Sequence, residues 1–351
     1  MPGDHLFQPL FDGPLDIVGD IYGEPDALGN LLAALGYDAD GRHPGGRRLV
    51  FIGDLCDRGP DSPAVFARVA GLVERGLAQC LLGNHELNVL RNARKEGNGW
   101  FFPDDHDAAH GRFAGSSRAS DTDRSAIRRF ITGLPVVLER ADLRLVHAAW
   151  DDAALALLRE CRAATLAIYN AYSERTQAVV QESGIGERAG AQWREYREQL
   201  TDPQVAPPLL ESLGRLDTLE QMANPLRIAT SGPETLASKP FFAAGKWRMV
   251  DRVRWWDHYR HEVPVIVGHY WHWPTAELRA ALTRGEQDLF DGAGIDQWLG
   301  MRRNVYCVDF GVGARYKERA AGVARFATRL GALRWPEREV VTDDGGRIRL
   351  R

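Results

Sequence analysis

Five short motifs put potential metal ligands at the ends of apolar runs, and their order constrains the fold more than any other feature of the chain. They are GDIYG (19–23), GDLCDRG (53–59), GNHE (83–86), VHAA (146–149) and GHY (268–270). A single Gly-Asp or Gly-Asn pair is typical of an ordinary turn, because these residues tolerate turn geometry. Five such ends in succession indicate strands that deliver polar side chains to one region of the fold.

The first three motifs end strands that alternate with helices. Strands are predicted at 15–20, 48–54 and 78–82, and helices at 25–35 and 62–75. A βαβαβ segment of this kind forms a parallel sheet flanked by helices. Ligands of such sheets bind beyond the carboxyl ends of the strands. We therefore expect Asp20, Asp54 and Asn84 to lie at one edge of the sheet.

The rest of the chain predicts a mixed α/β protein with one large insertion. Residues 93–125 lack periodicity, which predicts a long loop over the site with His106 and His110 at its surface. Residues 151–245 begin with a stretch rich in Ala, Leu, Glu and Arg at helical spacing, which predicts a helical insertion or cap. Further strands are predicted at 134–139, 143–147, 263–269, 304–309 and 326–335. We expect a single domain over 1–351.

Composition narrows the classes of partner. The formal charge of −4 provides no field for long nucleic acid, and no apolar stretch reaches the roughly 20 residues of a membrane helix. The first residues do not resemble a signal peptide. The four cysteines contain no C-x-x-C pair, so we predict reduced thiols. These features favour a cytoplasmic protein without a membrane partner.

The five motifs hold the ligand types of a two-metal hydrolytic site. Two ions about 3.5–4 Å apart can activate water and stabilise the charge on a phosphate. Asp54 is our candidate bridging ligand, and Asp20 would bind the first ion. Asn84, His147 and His269 would complete the second. Mixed nitrogen and oxygen ligands suit Mn, Fe, Zn or Co better than Ca or Mg.

Three neighbouring residues have the chemistry that the metals do not supply. The planar guanidinium of Arg58 suits bidentate binding of phosphate oxygens, and Arg58 and Asn84 are the predicted substrate contacts. His85 follows Asn84 and can donate a proton to the leaving oxygen. Asp57 can orient that imidazole and raise its pKa. His85, Asp57 and Arg58 are therefore the predicted catalytic residues.

The motifs together resemble the calcineurin-like metallophosphoesterase superfamily. GDLCDRG and GNHE resemble its phosphoprotein-phosphatase branch, which includes bacterial Ser/Thr phosphatases and dinucleoside-tetraphosphate hydrolases. The resemblance implies two facing mixed β-sheets flanked by helices, a four-layer αββα fold. It also implies a dinuclear site, attack by metal-bound hydroxide without a phosphoenzyme, and the ligand and proton-transfer roles given above. It extends over about residues 15–92, 130–150 and 263–313.

The chain departs from the family pattern at two places. The first motif of the family reads Gly-Asp-x-His-Gly, whereas Tyr22 stands at the histidine position here; the fourth motif ends in Ala148-Ala149 rather than Gly-Gly. Three interpretations of Tyr22 stay open. Tyr22 coordinates as a phenolate, which favours a ferric ion; His272 supplies the missing imidazole; or the first metal binds weakly.

The leading functional hypothesis is a metal-dependent phosphomonoesterase that acts on a phosphoprotein or on a small or nucleotide phosphate. One alternative substrate class is the dinucleoside polyphosphates. The alternative from a different class is a non-catalytic phosphate-binding or nucleotide-binding regulator with a degenerate metal site, for which Tyr22 is the motivation. A second phosphate contact is expected from one of the arginines near the insertion, namely Arg227, Arg248, Arg252 or Arg254.

Overall fold

The computed structural model describes residues 5–102, 104, 111–113, 115–243, 245–283 and 287–351, so His106 and His110 lie outside the described residues. The strands are β1 (Phe7–Pro9), β2 (Leu15–Val18), β3 (Arg48–Phe51), β4 (Ala78–Cys80), β5 (Val137–Arg140), β6 (Leu143–Val146), β7 (Glu234–Ala243), β8 (Lys246–Arg252), β9 (Val265–Val267), β10 (Val305–Cys307), β11 (Gly331–Trp335), β12 (Glu339–Thr342) and β13 (Arg347–Arg349). The α-helices are α1 (Pro25–Leu35), α2 (Ser62–Glu74), α3 (Asn84–Leu90), α4 (Asp121–Thr132), α5 (Asp152–Arg159), α6 (Thr165–Ser183), α7 (Ile185–Tyr196), α8 (Glu211–Met222), α9 (Pro225–Ser231), α10 (Ala276–Leu282) and α11 (Arg315–Ala320).

Two mixed sheets form the centre of the fold. The strand order is β1-β5-β6-β9-β10 in the five-stranded sheet and β13-β12-β11-β2-β3-β4 in the six-stranded sheet. β2, β3 and β4 are parallel, as the βαβαβ pattern predicts, and β5 and β6 form an antiparallel pair. β6, β9 and β10 are parallel as well, so each sheet contains three parallel strands. β7 and β8 form a separate antiparallel hairpin.

The sheets pack face to face through side chains that alternate along each strand. Ile17 and Val50 of the six-stranded sheet share a buried cluster with Leu145 and Ile266 of the five-stranded sheet. Val18, one residue along from Ile17, belongs to the other main cluster, on the outer face. This period of two is what a strand buried on both faces requires.

Helices cover the outer faces of both sheets. Helix α1 buries Leu28, Leu31, Leu32 and Leu35, a spacing of three and four residues that forms one stripe. Each leucine that is fully buried stabilises the fold by about 2 kcal/mol. Gly36 ends this helix with a φ of 94°, which a glycine adopts without strain. The predicted two-sheet fold with flanking helices is therefore confirmed.

Two segments differ from the sequence-based expectation. Helix α4 begins at Asp121, inside the stretch 93–125 that lacks hydrophobic periodicity. A capping box starts it: Ser120 Oγ accepts from the Asp123 N–H, and the Asp123 carboxylate accepts from the Ser120 N–H. Strand β7 begins at Glu234, within the range 151–245 assigned to a helical insertion. The helical part of that range ends earlier than composition indicates.

Two further observations concern possible membrane-spanning helices and the cysteines. In the part of the chain that the structure describes, no helix is both long and apolar enough to cross a bilayer. Cys56, Cys80, Cys161 and Cys307 are free thiols, and burial raises the pKa of Cys56, Cys80 and Cys307.

Candidate metal centre

Six polar side chains follow six parallel strands, each within four residues of the strand end. Asp20, Asp54 and Asn84 come after β2, β3 and β4, and His147, His269 and Asp309 come after β6, β9 and β10. All six lie at the carboxyl ends of their strands. Contacts between the sheets join them: the backbone N–H of His269 donates to the Asp20 carboxylate at 3.1 Å. Asp20 has 1% of its surface exposed and Asp54 has none.

Four of these residues surround one point, and we call them the imidazole half of the centre: Asp54, Asn84, His147 and His269. Asn84 Oδ1 lies 3.2 Å from His147 Nε2 and 2.9 Å from His269 Nδ1. Asp54 Oδ1 lies 3.4 Å from His147 Nε2. The candidate ligand atoms of Asp54, His147 and His269 all lie within 4.8 Å of one another. The structure thus brings together the predicted ligands of the second metal.

The protonation of the two imidazoles fits a cation at this point. His147 Nδ1 lies 2.8 Å from the Ile52 carbonyl and donates to it, so Nε2 faces Asp54 and Asn84. Burial lowers the pKa of His147 but the Asp54 carboxylate raises it further, so a cation beside Asp54 would take the place of the Nε2 proton. Burial, together with Arg252 and His147, lowers the pKa of His269, which favours its neutral, ligating form. Rotating the Asn84 amide would let its NH₂ group donate to the same nitrogens instead. In the orientation described, three lone-pair donors face one another, and a cation satisfies all of them.

Asp20, Tyr22 and Asp309 form what we call the carboxylate half. The carboxyl groups of Asp20 and Asp309 lie close enough to affect each other's pKa. Burial and the charge of Asp309 raise the pKa of Asp20, and burial and Asp54 raise that of Asp309 to about 6. Both groups therefore favour bound protons in the absence of a cation and can release them to one.

Tyr22 reaches from the carboxylate half to the bridging candidate. Its hydroxyl donates to Asp54 Oδ2 at 3.1 Å, and Trp271 Nε1 donates to the Tyr22 hydroxyl oxygen at 3.4 Å. Burial and the carboxylates of Asp54 and Asp20 raise the pKa of Tyr22, so the side chain is a phenol here. A Cβ on Gly313 would lie 2.5 Å from Tyr22 Cδ2, so the glycine is what lets the ring fit.

His272, the predicted replacement ligand, has other contacts. Its Nε2 lies 2.7 Å from the Ala293 carbonyl, and its ring stacks on Phe290 with the centroids 3.9 Å apart. Burial lowers its pKa to about 4. The structure does not bring His272 into the ligand group around Asp54.

His85 has the surroundings of a proton donor. Its Nδ1 contacts the Asp57 carboxylate in a short hydrogen bond, and its Nε2 lies 3.8 Å from Asp54 Oδ2. Burial alone would lower the pKa of His85, but the carboxylates of Asp54 and Asp57 raise it. Trp100 Nε1 donates to the second Asp57 oxygen at 2.6 Å, which fixes that carboxylate. The imidazole is oriented beside the ligand cluster, and the carboxylates of Asp54 and Asp57 favour its protonated form.

Arg58 presents its guanidinium beside the same cluster. It lies over the ring of Tyr22 at 4.8 Å and over the ring of Trp271 at 5.3 Å. Its Nη1 is buried and has no hydrogen-bond partner. A buried donor without a partner costs about 1–3 kcal/mol unless a ligand accepts from it. The free edge of Arg58 is therefore available to an anion.

Backbone strain is concentrated at these residues. Tyr22, Asp54, Asp57, Arg58 and His269 all have φ between 50° and 77°, a region that non-glycine residues seldom adopt. Each such residue costs on the order of 1–3 kcal/mol and persists where the surroundings enforce it. The backbone is bent to direct these side chains inward.

Sequence reasoning missed three residues that hold the site in place. Glu86 accepts hydrogen bonds from the backbone N–H groups of Asp54, Leu55 and Gly83 at 2.8–3.0 Å. The GNHE motif contains Glu86, but the sequence did not predict that its carboxylate would bind these backbone groups. Trp100 lies in an aperiodic stretch and gives no signal. Asp309 could have been found, because it ends a strand in the same way as Asp20 and Asp54.

Residues 13–137 match the sequence profile of the calcineurin-like phosphoesterases. Over 74 residues the chain is 43% identical to the asymmetrical bis(5′-nucleosyl)-tetraphosphatase of Oceanobacillus iheyensis. The matched residues make up 20% of this chain and 30% of that protein. Over 77 residues it is 40% identical to the symmetrical bis(5′-nucleosyl)-tetraphosphatase of Ralstonia nicotianae, with 22% and 24% covered. The chain thus spans less than a third of the length of these curated relatives.

One solved structure overlaps nearly the whole chain. It is the cold-active protein-tyrosine phosphatase of a psychrophilic Shewanella, at 16% identity, with 99% of this chain and 82% of that chain covered and a TM-score of 0.45. A score at this level carries no argument about this chain. The architecture rests on the strand order given above.

Proposed function

We propose that this chain, whose residues 13–137 belong to the calcineurin-like phosphoesterase family, is a metal-dependent hydrolase of phosphoric esters. One observation carries the proposal: the ligand atoms of Asp54, His147 and His269 converge within 4.8 Å, beside the free guanidinium edge of Arg58 and the oriented imidazole of His85. A ligand cluster, an anion contact and a proton donor together are what phosphate-ester hydrolysis requires.

Divalent metal ions fit this donor set. The imidazole half would hold one ion through Asp54, Asn84, His147 and His269, and Mn, Fe, Zn or Co suit such ligands. Asp20 would hold a second ion with Asp54, in competition with the protons that burial favours on Asp20 and Asp309. When bound, the metals would polarise the phosphate and lower the pKa of a water molecule.

The residues of the chain would perform the remaining work. Arg58 would bind two phosphate oxygens and neutralise the charge that develops on them. His85, held by Asp57, would donate the Nε2 proton to the departing oxygen as the P–O bond breaks. Glu86 would keep the Asp54 loop in position through its three backbone hydrogen bonds.

The substrate belongs to one of two classes. The leading proposal is a phosphomonoester, including a phosphoprotein or a nucleotide phosphate. The relatives in Oceanobacillus and Ralstonia are named for dinucleoside tetraphosphates, which supports the dinucleoside polyphosphates as the alternative. The range 151–245 would act as the cap that decides between them. A cytoplasmic location is part of the proposal, because the four cysteines are free thiols.

Turnover and metal content together test the proposal. The purified protein, loaded with Mn or Fe, should hydrolyse 4-nitrophenyl phosphate, and Asp54→Asn should abolish that activity. Elemental analysis should find at least one tightly bound ion per chain in the unaltered protein. Bound metal with no turnover on any phosphate ester would instead support the regulator, for which the Tyr22–Asp54 hydrogen bond is the motivation.

A further inference from the structure

Six cationic side chains from three separate segments interact with one another beside the metal centre. They are Arg91 and Lys95 after helix α3, Arg227 on helix α9, and Lys246, Arg248 and Arg252 on strand β8. We call this set the basic groove. The mechanism above uses none of them. Like charges that face one another repel, so their proximity needs an explanation.

The segment after helix α3 ties the basic groove to the phosphate-binding arginine. The Arg58 N–H donates to the Gly97 carbonyl at 3.0 Å, two residues beyond Lys95. A Cβ on Gly97 would lie 2.8 Å from Arg58 Cγ, so this turn packs directly on the Arg58 side chain. Lys95 therefore lies two residues from the backbone contact with Arg58.

The insertion ties the basic groove to the imidazole half. In helix α9, the carbonyl of Ala229 accepts from the Ala148 N–H at 3.0 Å, immediately after His147, and Arg227 lies two residues before Ala229. On strand β8, the Arg252 guanidinium lies 5.7 Å from the centre of the Tyr270 ring, next to His269. Arg227 and Arg252 therefore lie on segments that contact the chain neighbours of His147 and His269.

The cations of the groove are only partly neutralised. Four carboxylates interact with them: Asp217, Glu220, Glu234 and Glu96. Of these, Glu220 lies 3.6 Å from Arg227. Among the described residues, Lys95, Lys246 and Arg252 form no ion pair. Six cations against four carboxylates leave an excess of two positive charges.

Two lysines of the basic groove reach solvent and still interact with the cations beside them. Lys95 and Lys246 are exposed to solvent. Even so, surrounding protein and then Lys246 and Arg91 lower the pKa of Lys95, and surrounding protein and then Arg248 lower that of Lys246. These lysines reach water and still interact with one another, so they form a positively charged surface.

We propose that the basic groove binds the phosphate groups of a polyphosphorylated substrate that are not being cleaved. The inference rests on the proposed phosphoesterase function and names its substrate class: a nucleotide or dinucleotide with several consecutive phosphates. A single phosphate would be held by Arg58 and the metals alone. An excess of two positive charges next to them matches two further phosphate groups, and the formal charge of −4 for the whole chain disfavours a long nucleic acid.

Paired substitutions in the groove test the inference. The double variant Lys95→Gln/Lys246→Gln changes two exposed residues and no part of the catalytic machinery. Its KM for a dinucleoside tetraphosphate should rise about tenfold or more, because each lost charged hydrogen bond weakens binding about tenfold. Its kinetics with 4-nitrophenyl phosphate should stay within about twofold of the unaltered protein. Lys239→Gln, an exposed lysine on strand β7 of the same hairpin, is the matched control and should change neither value.

A binding measurement separates this inference from the function on which it rests. Inorganic tripolyphosphate should bind the metal-free protein in calorimetry, and the double variant should bind it about tenfold more weakly. Equal binding by both proteins would overturn the inference, as would an equal rise in KM for both substrates. Weakened tripolyphosphate binding in a protein that hydrolyses nothing would refute the phosphoesterase and leave a polyphosphate-binding groove.

Discussion

The two halves of the metal centre satisfy their buried polar atoms by different means. In the imidazole half, Asn84 Oδ1 faces nitrogens of His147 and His269 at 3.2 Å and 2.9 Å, and a cation suits this arrangement better than a hydrogen bond. In the carboxylate half, burial raises the pKa of Asp20 and Asp309, and the Tyr22 hydroxyl donates to Asp54. The imidazole half offers lone pairs to a cation, whereas the carboxylate half favours bound protons.

This difference sets an order of metal binding. A cation entering the imidazole half finds His269 in its neutral form and competes only with a proton on His147, whose pKa the Asp54 carboxylate raises against the effect of burial. A cation entering the carboxylate half must displace the protons that burial favours on Asp20 and Asp309 and rearrange the Tyr22 hydroxyl. We therefore expect one tight ion and one weaker ion, and each prediction below tests part of this comparison.

Removing an imidazole from the tight half should have the largest effect. His147→Ala deletes a fully buried ligand, and the affinity for the tight ion should fall by at least about 100-fold, since even residues that only orient ligands contribute 10–100-fold. Hydrolysis should drop to background unless metal is added in excess. Metal titration with elemental analysis measures both. Asp20→Asn is the comparison, and if it lost the tight ion as readily, the distinction between the halves would be wrong.

Replacing the proton donor should slow turnover without loss of metal. His85→Asn removes the imidazole that Asp57 orients, and kcat should fall about 10²–10⁴-fold with an ester whose leaving group is a poor one. The loss should be smaller with 4-nitrophenyl phosphate, because 4-nitrophenolate needs no proton to depart. His261→Asn, an exposed imidazole paired with Asp152, is the matched control. A variant that lost metal along with activity would indicate a structural role for His85.

The strand ends were the predictable part of this centre. Each predicted ligand follows an apolar run, with a glycine directly before Asp20, Asp54, Asn84 and His269, and parallel strands bring such ends to one edge whatever the intervening sequence. The glycines add a steric requirement: a Cβ on Gly268 would lie 2.0 Å from Asp20 Oδ1, and one on Gly83 would lie 2.3 Å from Asp54 Oδ1. Local sequence therefore specifies where the ligands lie and, through the glycines, leaves space for their side chains.

Contacts that depend on packing were not predictable. Trp100 reaches Asp57 across 43 residues from an aperiodic stretch, and no periodicity encodes that approach. The direction of the Tyr22 hydroxyl depends on the space beside Gly313, which lies almost 300 residues along the chain. The contacts of His272 with Ala293 and Phe290 are equally non-local. Sequence reasoning could name candidates for the carboxylate half but could not choose among them.

Restoring the family's histidine should make the two halves more alike. Tyr22→His removes the phenol that donates to Asp54 and adds an imidazole, and we expect the weaker ion to bind about 10–100-fold more tightly. Metal titration should then show two tight ions in place of one. Tyr22→Phe removes the hydroxyl and adds no ligand, so it separates the two causes. An unchanged stoichiometry in Tyr22→His would mean that Tyr22 is not what weakens the first site.

The smallest effect should come from the residue that holds Asp57. Trp100→Phe removes one hydrogen bond, at 2.6 Å, to the carboxylate that orients His85, and kcat should fall about threefold to tenfold. Because the metal ligands are untouched, metal content should not change in either half. The slower rate should be most evident with poor leaving groups, since only these need the His85 proton. Trp335→Phe removes a similar hydrogen bond, at 3.0 Å, to Asp142, far along the chain from the motifs, and should leave kcat unaltered. Equal losses for good and poor leaving groups would assign Trp100 to packing, and His85 would then owe its orientation to Asp57 alone.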